Sequence, residues 1–246
     1  MWAMNSTILQ SILNRDRAAV TYAHPIMDLK RGTVAARELL TRFPCGDGRM
    51  RTVGDLLVDA SLDPDSRVRL DILCLEAIFT ALERNPVTDH LLFVNLAPLT
   101  LLHPTFWKRL EGWIWHLSIP PHRIVLEITE SFGGQEPADL EAGARRLRDL
   151  GLRIAVDDLG SGIASLAHMS RLGPDFFKVD RSLVSGVHRR PYQAALLNAL
   201  AVFAERMRVG YIVEGIETME ELQAVIDADV PWGQGFIFGE PEPLVF

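Results

Sequence analysis

An α/β fold, a closed (β/α)8 barrel whose first strand runs antiparallel to the rest, is predicted by three features of this 246-residue sequence. Eight short strand-like runs recur along it. Helical patterns lie between the runs from the third onward. The first two runs are joined only by Lys30-Arg31-Gly32, which leaves no room for a helix. Strand and helix repeating at about 30 residues argue a parallel sheet. Eight strands in a chain of this length favour closure over an open sheet. The short first connection reads as a hairpin, which turns one barrel strand against its neighbours.

The runs occupy 20–29, 33–43, 91–98, 123–131, 153–160, 176–184, 209–217 and 233–241. Residues 45–70 are polar and irregular and read as a loop or short helix beside the barrel. "FWKRLEGWIWHL" (106–117) reads as a helix whose Trp107, Trp113 and Trp115 pack. "QAALLNALAVFAERM" (193–207) is amphipathic and rich in helix formers. The helix over 218–229 opens with Thr218 and Glu221, the spacing of a capping box. No linker, low-complexity stretch or second domain interrupts the pattern, so residues 1–246 read as a single domain.

Composition narrows the function. Hydrophobic residues make up 48% and charged residues 23%, with a formal net charge of −7. The basic residues are scattered, which argues against a nucleic-acid polymer as partner. No apolar run approaches the roughly 18 residues of a membrane span, so direct membrane contact is not expected. Cys45 and Cys74 form neither a metal motif nor a disulfide framework. With no secretory segment at the N-terminus, a cytoplasmic location is the default. The seven histidines show no ligand spacing and read as surface or satisfied core residues.

The strand ends carry the chemistry. They hold Glu38, Asn95, Glu127, Asp157 with Asp158, Lys178 with Asp180, Glu214 with Glu217, and Gln234, several inside apolar flanks such as "VLEIT" and "FFKVD". The active site of a β/α barrel lies at these ends. A lone strand-end carboxylate is more often a helix cap or an ion-pair partner. Several around one mouth repel one another and need cations. Carboxylate and amide oxygens without a histidine or cysteine cluster suit hard divalent ions. Adjacent Asp157 and Asp158 could serve two ions roughly 3.5–4 Å apart, an arrangement suited to in-line attack of water on a phosphodiester.

These residues resemble the EAL domain, the bacterial cyclic-di-GMP phosphodiesterase family, over about residues 18–243. The motifs occur in order: "ARELLTR", "FVNLAP", "LEITES", "VDDLGSGIASL", "FFKVDRSLV", "VEGIET" and "GQGFIFGEP". The resemblance implies a TIM-like barrel and linearisation of cyclic-di-GMP to pGpG with two Mg²⁺ or Mn²⁺ ions. It implies that Glu38, Asn95, Glu127 and Asp157 hold one metal and that Asp157 and Asp158 serve the second. Lys178 and Glu214 would orient or deprotonate the attacking water. Leu40, Arg42, Asp180 and Gln234 would contact substrate, and Glu217 would steady the loop after Asp158. "LEITES" also supplies Glu130. A homodimer through that loop and neighbouring helices is implied as well.

The sequence departs from the family pattern at several points. Leu39 replaces the alanine of the naming tripeptide. His24 stands where a glutamine usually contacts the ligand. Leu159, Ser161 and Ile163 replace Phe, Thr and Tyr. The stretch between the second and third strands is shorter and lacks the usual proline-rich helix start. These changes motivate an alternative, a catalytically weak or inactive domain that acts as a cyclic-di-GMP receptor.

Overall fold

The computed structural model describes residues 2–45, 49–57, 62–84, 89–129, 136–159 and 171–244, with side chains from residue 8 onward. Eight strands close into a barrel: β1 (Val20–Asp28), β2 (Thr33–Pro44), β4 (Leu91–Asn95), β5 (Ile124–Thr129), β6 (Arg153–Leu159), β7 (Phe176–Val179), β8 (Gly210–Val213) and β9 (Trp232–Gln234). Strand β1 pairs antiparallel with both β2 and β9 and completes the closure. The other barrel pairings are parallel. The hairpin read from Lys30-Arg31-Gly32 is therefore correct, and Gly32 takes the left-handed conformation its turn needs (φ 64°).

Several strands are shorter than their apolar pattern. The run 176–184 ends as a strand at Val179. Asp180 then accepts a hydrogen bond from the Ser182 amide at 2.9 Å and caps a 3₁₀ turn over Arg181–Leu183. Buried Val184 and Ile216 continue the apolar pattern because the loops after β7 and β8 pack back on the barrel.

The described residues within 45–70 hold more regular structure than their composition predicts. Strand β3 (Met50–Thr52) pairs with the end of β2, and a short helix, α2 (Val53–Leu57), follows it. Helix α3 (Pro64–Arg84) runs for 21 residues. It starts on a single proline: Asp63 accepts from the Ser66 amide at 2.9 Å, immediately before Pro64. Helix α1 (Trp2–Leu13), which the sequence reading left unassigned, packs Ile8, Leu9, Ile12 and Leu13 with Phe43, Leu56, Leu70 and Cys74 in a satellite core. A last short strand, β10 (Glu242–Pro243), pairs with β1.

The remaining α-helices among the described residues are α4 (Pro98–Leu101), α5 (Pro104–His116), α6 (Pro137–Asp149), α7 (Pro191–Met207) and α8 (Met219–Asp227). The capping box at Thr218 and Glu221 is present. On α5, Trp107 is buried and Trp113 stacks on Phe79, but Trp115 is 86% exposed and does not pack. The main core lies between the helices and the outer barrel wall. Among the described residues, no helix is long and apolar enough to cross a membrane.

Candidate active site

The barrel lumen is plugged by one side chain from each of seven strands: Ile26, Ala36, Phe93, Val125, Ala155, Phe176 and Ile212. Trp232 of β9 packs on this layer, stacked on Phe176. Side chains alternate across a strand, so the next lumen-facing position is two residues nearer the mouth. On the parallel strands these positions are Glu38, Asn95, Glu127, Asp157, Lys178, Glu214 and Gln234. Strand β1 runs the other way, so its position is two residues earlier, His24. The predicted polar residues thus form one layer on an apolar floor.

Lys178 is the hub of that layer and is fully buried. Its Nζ lies 2.7 Å from Glu127 Oε1. It also ion-pairs with Glu214 Oε1, and it lies 3.8 Å from both Glu38 Oε2 and Asp157 Oδ1. Burial alone would favour the neutral amine, but the carboxylates around it outweigh burial and hold its pKa well above the ordinary lysine value. Four carboxylates share this one ammonium. Burial pushes Glu127 well up and Glu214 up to about 8, with Asp157 and Glu38 adding repulsion and Lys178 opposing the rise. Burial also acts to raise Glu38, yet its carboxyl is held below the usual range. Lys178 and the amides of Gln234 and Asn95 outweigh burial there.

Two adjacent aspartates on a regular strand would face opposite sides. Here the β6–β7 register shifts between Val156 and Leu159. Asp158 adopts the left-handed conformation, φ 62°, and its amide donates to Asp157 Oδ1 at 2.9 Å. This bulge turns both carboxylates to the mouth. Asp157, Asp158 and Glu214 each offer an oxygen, and the three oxygens lie within 4.8 Å of one another. Asp tolerates the left-handed region, at a cost of about 1 kcal/mol. Asp158→Gly is therefore expected to raise folding stability by about 0.5–1 kcal/mol, read in denaturant melts, while deleting a carboxylate from the site.

A divalent cation fits this donor set. Glu127 is fully buried, and its Oε2 receives no hydrogen bond from the described residues. A buried carboxylate oxygen without a donor, on the strand next to Asp157, suits a hard cation. Glu38 is held from both sides: Asn95 Nδ2 donates to Oε1 at 3.0 Å and Gln234 Nε2 to Oε2 at 2.8 Å.

The other predicted residues lie at the rim. Leu40 and Arg42, on β2, line a cavity of about 580 Å³ that also reaches Asn95 and Asp71. The Arg42 guanidinium lies over the Tyr22 ring, 5.9 Å from its centroid. Asp180 caps its own turn rather than facing the ring. Glu217 accepts from Arg181 Nη2 at 2.6 Å. The loop it was expected to steady, including Ser161 and Ile163, lies outside the described residues, as does Glu130. Leu159 is buried in the core.

Two further residues belong to the site: His24 stands out in the sequence only as a departure from the family's glutamine, and its register against Glu38 puts it in the ring, while Asp71 goes unread. Asp71, on α3, accepts from the Ala97 amide at 3.1 Å and anchors the turn after β4. Burial lifts its carboxyl to about 6. Nothing in the local pattern of α3 distinguishes it from a solvated helix carboxylate.

The chain matches the family model of the EAL domain over residues 6–241. It belongs to the EAL domain family. Among curated relatives, an Escherichia coli protein named as a probable cyclic di-GMP phosphodiesterase, PdeA, is 28% identical over 225 residues, covering 91% of this chain and 30% of that protein. The Klebsiella pneumoniae protein BlrP1, solved with manganese and cyclic-di-GMP, superposes with a TM-score of 0.82 at 25% identity, covering 91% of this chain and 56% of that one. The PaMucR phosphodiesterase, solved with cyclic-di-GMP, gives a TM-score of 0.85 at 23% identity over 98% of both chains and supports the fold. This EAL chain spans 19–46% of the length of the first curated relatives it matches.

Proposed function

We propose that this chain is a metal-dependent phosphodiesterase that linearises cyclic-di-GMP to pGpG, acting as one EAL-type domain over residues 1–246. The observation that carries the reading is the bulge that gathers Asp157 and Asp158 beside Glu214, over a floor holding the orphaned Glu127 oxygen. Family membership and the named activity of the relatives point the same way.

Glu38, Asn95, Glu127 and Asp157 would hold one Mg²⁺ or Mn²⁺ ion, and Asp157 with Asp158 the second. Bound ions would supply a Lewis-acid clamp on the phosphodiester and acidify the attacking water. Glu214 is placed to take the proton of that water, since its carboxylate lies beside Asp157 and Asp158, and bound cations would favour its ionised form. Lys178 orients the water and balances the negative charge that builds on the phosphoryl oxygens. Attack on phosphorus breaks the bond to the 3′ oxygen, which leaves as a hydroxyl, and the 5′-phosphate of pGpG remains. Arg42, on the rim, would pair with the other phosphate, with Leu40 and Gln234 lining the ligand and Asp180 holding the turn that follows Lys178. Glu217 would steady the loop after Asp158.

The proposed substrate is a bacterial second messenger, which favours a cytoplasmic location. A homodimer is favoured by the exposed stripe Tyr192, Leu196, Phe203 and Met207 on α7, whose spacing sets it along one helix face.

A single-turnover assay tests the reaction. Appearance of pGpG with Mg²⁺ or Mn²⁺, abolished by EDTA, is the expected result. Intact cyclic-di-GMP recovered bound to the protein would make the chain a receptor instead.

Proton competition gives a second check. Burial pushes Glu127 up and Glu214 up to about 8 in the metal-free protein, so a cation bound among them competes with protons. Calorimetric Mn²⁺ affinity should therefore rise from pH 6 to about pH 8 and then level off near the Glu214 value of about 8. The stability linkage has the opposite sign. A raised carboxyl pKa favours the fold fully below the unfolded value of 4.5, and that contribution is lost as pH rises to about 8. The metal-free protein should melt progressively lower over that window, and saturating Mn²⁺ should flatten the trend.

A further inference from the structure

The ring position on β1, His24, has no part in the chemistry above, yet it is buried and both ring nitrogens are engaged. Its Nε2 lies 3.2 Å from the Gly239 carbonyl oxygen. A carbonyl only accepts, so Nε2 carries the hydrogen and Nδ1 of the neutral ring is an acceptor. Gln234 Nε2 sits 2.7 Å from that Nδ1 and 2.8 Å from Glu38 Oε2. Both partners accept, so they consume the two amide hydrogens. A flipped amide would set its oxygen against a carboxylate. Gln234 Oε1 is left buried and without a donor among the described residues. Gln234 lines a cavity of about 220 Å³ together with Glu38, Glu214 and Phe236. The backbone leaves Gln234 little latitude. Its carbonyl accepts from the Ile216 amide at 3.1 Å, and a Cβ on the next residue, Gly235, would collide with the Ile216 backbone. The amide itself is held by two acceptors, Glu38 and His24, each taking one of its hydrogens.

We propose that His24 is a positioning residue. By accepting from Gln234 it fixes that amide with its NH₂ toward Glu38, and so sets the carboxylate geometry that Glu38 presents to a divalent cation. The same constraint leaves Gln234 Oε1 as an acceptor for a hydrogen-bond donor on the bound ligand. The inference rests on the reading of Glu38 as a metal ligand.

Two conservative substitutions separate the two ring nitrogens. In His24→Asn the side-chain oxygen can take the place of Nδ1 and accept from Gln234. In His24→Gln the terminal amide can take the place of Nε2 and donate to Gly239, but the acceptor is lost. The test is Mn²⁺ binding to the full chain, followed by calorimetry without nucleotide. His24→Ala and Gln234→Ala should each weaken binding about 10- to 100-fold, the range for groups that orient a metal ligand. The double variant should bind no more weakly than Gln234→Ala, because His24 acts through that amide. His24→Asn should recover most of the affinity and His24→Gln little of it.

Additive losses in the double variant would overturn the proposal. So would wild-type affinity in His24→Gln with none recovered in His24→Asn, which would leave His24 a scaffold for the Gly239 loop. If the alanine variants fail to fold, the Asn and Gln pair decides alone. A wild-type chain that binds Mn²⁺ but leaves cyclic-di-GMP intact removes the proposed reaction and not this inference. A wild-type chain that binds no Mn²⁺ removes the inference.

Discussion

Lys178→Ala is expected to lower the stability of the metal-free protein by about 3–5 kcal/mol, the cost of stripping a buried charge cluster of one partner. Nζ is the ammonium shared by Glu38, Glu127, Asp157 and Glu214. Without it these carboxyls must take up protons or a metal. The deficit should therefore shrink in acid and on adding Mg²⁺ or Mn²⁺, and grow in EDTA at higher pH. Denaturant melts at two pH values, with and without metal, measure this directly. Lys178→Met fills the same space without charge and separates electrostatics from the cavity. Turnover should fall about a thousandfold with metal binding retained, through kcat rather than KM. A variant that only raises KM would reduce Lys178 to a substrate contact.

Asp157→Ala is expected to abolish turnover, a loss of about a thousandfold or more, since it removes an anionic ligand that both ions would share. Asp157 has a second duty: its Oδ1 accepts the Asp158 amide and holds the bulge. The alanine variant therefore risks disordering Asp158 as well. Asp157→Asn keeps that acceptor and loses only the charge, so it should retain the bulge and still be inactive. Glu38→Ala should behave similarly to Asp157→Ala. Near-normal rates in Asp157→Asn or Glu38→Ala would sink the assignment of these residues to metal.

How far the site was legible depends on how local each signal is. Glu127 and Lys178 stand out because they interrupt the apolar runs "VLEIT" and "FFKVD"; a charge in a strand buried on both faces has to be explained by a partner. The capping box at Thr218 is equally local. His24 carries no such local mark and is singled out only by the family pattern. A histidine before a proline reads as an ordinary strand residue until β1 is registered antiparallel against β2 and β9. Asp71 is also unmarked, because its partner Ala97 lies 26 positions away. Trp115 misled in the other direction. Its spacing on α5 suggested packing, but the helix turns it to solvent.

What the sequence by itself determined was the strand count, the antiparallel hairpin and the chemical type of the site. These follow from two-residue alternation, from a connection too short for a helix, and from the residue types at the strand ends, all of which are short-range. Only the tertiary structure decided how those groups meet. Barrel closure set the polar residues of eight strands in one layer, because each lies one pleat above a plugged lumen. The β6 bulge then brought Asp157 and Asp158 to the same side, a step that strict alternation forbids. And four carboxylates became one charge cluster only when folding placed Lys178 among them.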